Sequence, residues 1–204
     1  RPSLTARQRR RLWTSTQPGA WMMALAPGLA GTIIAGVLAS RLASRFGSSA
    51  SGPSVSPSGV WLHDLWLLLA WALCYCVQFT AARWLVSQRS PRYRTPMLVY
   101  GGAAIVVGLP FVVLHPAVLW WAPVYLVLAW LSLRAAVTHQ ERSMWANAVD
   151  VVAASLIGAI AGSAAAGFRP LETPRAALVA ATAFFVVEYG SALFVKTMIR
   201  GFGD

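Results

Sequence analysis

The sequence predicts an all-α protein, a bundle of six transmembrane helices with both termini cytoplasmic. Three observations predict it. Six apolar runs of about 18–23 residues, without strand-like alternation, fill most of the 204 residues, and that is the helix length that crosses a bilayer. Apolar residues make up 57% of the chain and charged residues 11%, against roughly 25% charged in soluble domains. Such a chain cannot cover its surface with polar groups. In lipid every backbone N–H and C=O must be bonded internally, which leaves helices once alternation is missing. Finally, 13 of the 17 Lys and Arg fall in the two tails and the second and fourth connections. The positive-inside rule puts those segments in the cytoplasm, and six spans agree with that parity.

The elements follow in order. Residues 1–18 form a basic cytoplasmic tail with Arg7, Arg9, Arg10 and Arg11. The first span, 19–40, opens with Pro18 in its first turn and Trp21 at the interface. It has no convincing small-residue cleavage site and no soluble domain after it, so it reads as a retained signal anchor. Residues 41–60 are rich in Ser, Gly and Pro and are expected to be a flexible external loop. The second span, 61–83, lies between the interfacial anchors Trp61 and Trp84. A basic connection follows with Arg83, Arg89, Arg92 and Arg94, where Pro91 and Pro96 are expected to break helix. The third span, 97–114, and the fourth, 117–133, are separated only by His115 and Pro116, which predicts a tight hairpin. Arg134, His139, Glu141 and Arg142 lead to the fifth span, 146–167. Pro170 and Pro174 mark the connection to the sixth, 176–199. The whole of 1–204 is expected to be one transmembrane domain.

A net charge of +11 in a soluble protein suggests nucleic acid. Here the basic residues sit in short connections and are explained by topology, so no nucleic-acid partner is expected. Cys74 and Cys76 lie two apart on one helix and point different ways, which makes them small buried apolar residues. Neither a disulfide nor a metal site is expected. Small residues recur every fourth position in the fifth span (Ala154, Gly158, Gly162, Ala166) and the first (Ala24, Gly28, Thr32, Gly36). Both series let another helix approach closely, which places these two helices at the bundle centre.

Two acidic residues are read as intramembrane: Asp150, one turn into the fifth span from its cytoplasmic end, and Glu188, in the cytoplasmic half of the sixth. An intramembrane carboxylate needs a partner or water. Asn147 lies one turn before Asp150 on the same face. Arg83, Arg142, Lys196 and Arg200 approach the same level. A polar cluster at the inner leaflet is therefore expected, either an anion or lipid-headgroup site or a network that fixes helix register. The fragment Asn147-x-x-Asp150 invites comparison with intramembrane prenyl transfer, which needs carboxylate-rich motifs to hold magnesium on a diphosphate. With six acidic residues in all, no second acidic cluster completes it. Bis-histidine haem needs imidazoles on facing helices at matching depth. His63 and His115 match in depth but lie near the outer surface, and no cofactor is expected. No P-loop, nucleophile elbow or zinc motif is present.

Three segments resemble the YwiC-like family of bacterial membrane proteins. Gln17, Pro18, Gly19, Ala20 and Trp21 are similar to that family's entry into its first helix. Glu141, Arg142 and Ser143, followed by Asn147 and Asp150, are similar to its Glu-Arg-Ser…Asn-Asp segment. Val195, Lys196, Thr197, Met198, Ile199 and Arg200 closely match its end-of-helix segment. The resemblance implies a multi-pass protein of the bacterial cytoplasmic membrane and carries no established activity with it. The family pattern has histidine where Pro18 stands, so any role of that histidine does not carry over. It also continues with further helices, whereas this chain starts at Arg1 and stops at Asp204. A shortened member, or part of a longer chain, is expected.

The leading functional expectation is a non-enzymatic membrane protein, a subunit or accessory factor of a larger bacterial membrane assembly with other membrane subunits as partners. Small size, small-residue helix faces and sparse catalytic groups support it. The alternative is a membrane enzyme or transporter that handles an anionic lipid or isoprenoid substrate at the inner-leaflet cluster.

Overall fold

In the computed structural model, residues 13, 18–46, 57–87, 90–140 and 143–201 are described. The helices are α1 (Pro18–Phe46), α2 (Pro57–Val86), α3 (Pro91–Leu114), α4 (Ala122–Val137), α5 (Met144–Gly162) and α6 (Arg175–Gly201). A 3-10 segment, Pro116–Trp121, joins α3 to α4. No strand occurs among the described residues, and six of the helical stretches are long and apolar enough to cross a membrane.

Proline stands first in three of the six helices. Pro18, Pro57 and Pro91 are the first residues of α1, α2 and α3, and Pro116 opens the 3-10 segment. The first-turn N–H has no intrahelical partner in any case, so proline costs nothing there. Ser143 caps α5 by accepting a hydrogen bond from the Ala146 N–H at 3.2 Å.

Close contacts fix the register. The α1–α2 pair is antiparallel: Gly36 lies against Trp61, Gly28 against Leu68, and the Trp71 indole donates to the Ala24 carbonyl at 2.8 Å. The α1–α5 pair runs parallel, with Pro27 and Gly31 against Gly158 and Gly31 beside Gly162. Gly162 also meets Ala177, which starts the antiparallel α5–α6 pair. Thus α1, α2 and α5 form the centre, and α3, α4 and α6 flank it. The flanking helices expose large apolar side chains such as Ile105, Val106, Leu126, Trp130, Val179 and Val187, a surface that lipid solvates.

Several expected boundaries move. Residues 41–46 continue α1 and 57–60 belong to α2, contrary to the expected loop; its remaining residues, 47–56, lie outside the described residues. Pro96 does not break the third span. That helix starts six residues earlier than expected, at Pro91, and holds both Pro96 and Pro110. Each removes one backbone hydrogen bond, and Pro96 is buried against the bundle. The fifth span ends at Gly162 rather than 167, because the Ser163 hydroxyl donates to the Ile160 carbonyl at 2.7 Å and the chain turns through a 3-10 segment, Ala164–Ala166. Gly167 and Phe168 then both have positive φ, 67° and 65°. For phenylalanine that conformation costs roughly 1–2 kcal/mol. It is held by a buried ring set against Phe111 and His115, and by its carbonyl, which accepts from the Trp121 indole at 2.9 Å.

Candidate functional site

The end of the bundle that carries most of the basic residues contains a cavity of about 520 Å³. Five helices wall it, all but α3. Met23 and Ala24 come from α1, Trp71 to Arg83 from α2, Ser132 to Ala136 from α4, Ala146 to Ala154 from α5 and Ala192 from α6. The cavity exists because the α4 and α5 walls there are mostly alanine, while Trp71 and Tyr75 hold the helices apart. The Trp71 ring meets Tyr125 edge to face at 5.3 Å, and Tyr75 meets Trp21 at the same distance.

Three of the residues expected in an inner-leaflet cluster line this cavity: Arg83, Asn147 and Asp150. Gln78 donates to the Ser132 hydroxyl at 2.7 Å, and Ser132 donates to the Asp150 carboxylate at 2.9 Å. That chain ties α2, α4 and α5 together across the wall. The Arg83 guanidinium lies over the Phe79 ring at 4.6 Å, which leaves its N–H edge open to a ligand. Arg83 and Asp150 are both exposed, so the cavity has a polar mouth and an apolar interior.

Glu188 is brought inward but not to the cavity wall. It is 9% exposed and lies on the α6 face that includes Ala177 and Ala181, which are also buried. The Gly162–Ala177 contact and the equal rise of two helices put it level with Val151. One carboxylate oxygen, Oε2, is buried with no hydrogen-bond partner among the described residues. Lys196 lies two turns further on and is half-buried. Arg142 and the Arg200 side chain fall outside the described residues.

The four glycines expected at helix contacts each face a neighbour: Gly28 a Leu68 methyl, Gly36 the Trp61 ring, Gly158 the Pro27 backbone and Gly162 the Ala177 side chain. The small series on α1 meets α2, however. The α1 face toward α5 is built from Pro27 and Gly31.

His63 and His115 meet edge to face with ring centroids 4.5 Å apart, at the opposite end from the cavity. Rings in direct contact leave no space for a macrocycle between them, so this arrangement does not fit a haem. No group of three His, Cys, Asp or Glu able to hold a metal ion occurs among the described residues. Cys74 is exposed and Cys76 buried, on different faces of α2.

The family model described as YwiC-like protein matches residues 14–162. The chain belongs to the YwiC-like family. The YwiC-like match spans α1 to α5, including residues 17–21 and 141–150, and stops short of residues 195–200 on α6. Neither a curated protein nor a solved structure matches this YwiC-like chain. Family membership and six apolar helices together make it a multi-pass membrane protein.

One residue of interest escaped the sequence reading. Asp64 is wholly buried, although it lies only three residues inside the expected start of the second span. The available signal was its company: Val60, Leu67 and Leu68 stand one turn away on either side.

Proposed function

We propose that this YwiC-like chain is a protein of the bacterial cytoplasmic membrane, with its basic end in the cytoplasm, that binds the polar head of a phosphate-bearing lipid. The single observation behind this reading is the cavity at the basic end. Its volume of about 520 Å³ falls within the range of ligand sites, roughly 300–1,000 Å³. Its mouth offers one cation, Arg83, and one acceptor group, Asp150 with Asn147 beside it. A guanidinium matches two phosphate oxygens at once. Asp150 and Asn147 suit a hydroxyl or amine on the same head, and the alanine-lined interior suits acyl or isoprenoid carbon. Arg83 lies in the last turn of α2, at the end of an apolar span, the depth at which a headgroup would be met.

The small-residue faces of α1 and α5 do not themselves support docking to a larger assembly. They are used within the chain, in the α1–α5, α1–α2 and α5–α6 contacts. Those faces are therefore occupied, while Gly101, Gly102 and Gly108 of α3 stay open.

The test is native mass spectrometry of the protein extracted from its own membranes in mild detergent, with wild type compared with Arg83→Ala and Ala82→Trp. Arg83→Ala should weaken retention by about 2 kcal/mol, roughly thirtyfold, the worth of a charged hydrogen bond. Ala82→Trp should displace the lipid by filling its space. Equal lipid retention in all three proteins would contradict the reading. A stoichiometric protein partner with no bound lipid would favour the accessory-subunit alternative.

A further inference from the structure

At the end opposite the cavity, α2 places a carboxylic acid inside the hydrophobic core. Asp64 is 0% exposed, and neither of its oxygens has a hydrogen-bond partner among the described residues. Its side chain leaves the helix between Val60 and the pair Leu67 and Leu68. All three belong to one buried cluster with Phe111, Ile160 and Phe168. The register fixes its depth. The α1–α2 contacts put Asp64 level with Thr32, and the α1–α5 contacts put Thr32 level with Ser163, where α5 ends. The last carbonyls of α5, at the negative end of its dipole, therefore lie at the same level. The Thr32 and Ser163 hydroxyls at that level already donate to the Gly28 and Ile160 carbonyls.

No cation faces Asp64 from the described elements around it. On α1 the nearest is Arg41, exposed and more than two turns beyond Thr32. The 3-10 segment Pro116–Trp121 and α5 near its end carry no charged side chain. The Tyr125 hydroxyl of α4 donates to the Ala153 carbonyl. Arg169 and Glu172 are exposed and paired with each other at 3.0 Å, and Arg175 at the start of α6 is exposed. The titratable groups that remain are His63, which precedes Asp64 on α2, and His115 at the end of α3. Their rings touch. His115 Nε2 is buried with no partner among the described residues, and its ring lies against Phe111 and Phe168 of the same cluster. An ionised carboxylate at Asp64 would have no solvent, donor or cation.

We propose that Asp64 is a proton-binding site, neutral in the resting protein, that exchanges its proton with the aqueous phase at its own end of the bundle through the His63–His115 pair. Neither carboxyl oxygen is hydrogen-bonded to an imidazole in this structure, so transfer needs a turn of a side chain or one entering water to close the gap. The carboxyl O–H bond then breaks and the proton passes to an imidazole nitrogen. The imidazole then releases its other proton to water, and nothing is oxidised or reduced. Imidazole is suited to this because one nitrogen accepts while the other donates. Buried acids that take up protons mark proton relays in membrane transporters. The inference stands apart from the lipid site, which lies at the other end of the bundle.

Infrared spectroscopy of the full chain in lipid nanodiscs tests it. At neutral pH the wild type should show the carbonyl stretch of a protonated carboxylic acid. That band should move when the protein carries isotope-labelled aspartate, a reading that needs no mutation. It should be lost in Asp64→Asn, whose amide mimics the neutral acid and preserves the fold, and kept in Glu188→Gln. On transfer to deuterated buffer the band should shift, and His115→Phe should slow that shift about a hundredfold, the low end for a positioned proton-transfer group. A spectrum in which neither aspartate labelling nor Asp64→Asn alters an acid band overturns the proposal. So does a band that appears only when sodium is replaced by choline, which would make the occupant a metal cation. An unchanged exchange rate in His115→Phe overturns the histidine route.

Discussion

Gly158, like Gly31 opposite it, is a position where one added carbon meets backbone. A Cβ there would stand 2.6 Å from the Pro27 carbonyl oxygen, and backbone cannot swing aside. Gly158→Leu should destabilise the bundle by about 1–3 kcal/mol through overpacking. Gly102 on α3 has nothing within 4 Å of a Cβ. Gly102→Leu should therefore gain up to about 1 kcal/mol of helix propensity. Unfolding both variants in detergent beside the parent separates the two effects, and equal losses would place the Gly158 face in lipid. His115 sets a pH dependence. Burial, and then the charge of neighbouring His63, hold its imidazole below the ordinary value of 6.5. Between those two values the unfolded chain binds more protons than the fold, so stability rises with pH across that window. The His115 contribution is complete above about pH 6.5 and is lost as the pH falls toward the folded value. His115→Phe should flatten this slope in a thermal-unfolding series. Some of these residues were legible in the sequence and some were not. The fourfold spacing of Ala154, Gly158 and Gly162 announces a close helix contact. It does not say that Pro27 and Gly31 receive it, because α1 has small residues on two faces. Asp64, three residues inside its expected span, is hardly shallower than Asp150, and only the partner helices show that it is the one enclosed.

Among the described residues the number and order of the membrane-length helices were legible in the sequence, since apolar length decides them. Helix ends were not, because local side chains and neighbours decide those. Pro96 reads as a breaker, yet one lost hydrogen bond is tolerated in a helix already started at Pro91. The fifth helix reads as continuous to residue 167, and only the Ser163 hydroxyl and the anchored Phe168 ring explain its stop at Gly162. The site shows the same division. Asp150 and Asn147 stand out as polar residues on an apolar helix, and Arg83 as the basic end of another. Gln78 and Ser132 lie on two other elements, and their link to Asp150 appears only when α2, α4 and α5 meet. Ser132→Ala should cost about 1 kcal/mol by breaking that chain. A loss much smaller than this in chemical unfolding would mean that water replaces the hydroxyl.

Orientation in the membrane rests on charge alone and concerns the whole molecule. In a chain with Cys74 and Cys76 replaced by Ala, a single cysteine at Ser51 should react with an impermeant thiol reagent on intact cells. One at Ser90 should react only after lysis. The reverse pattern would turn the bundle over and put the cavity in the outer leaflet. With the orientation as proposed, the molecule has two polar sites at opposite ends of one core: an open, Arg83-bearing cavity on the cytoplasmic side and the buried Asp64 carboxyl toward the other face. The central claim is that the cavity holds a lipid head. A density map of the protein in nanodiscs of its native lipids tests this most directly. The predicted result is phosphate density within hydrogen-bond reach of Arg83, head-group density against Asp150 and Asn147, and a chain leaving between the helices. A cavity that contains only water, with the Arg83 guanidinium turned to solvent, would contradict it.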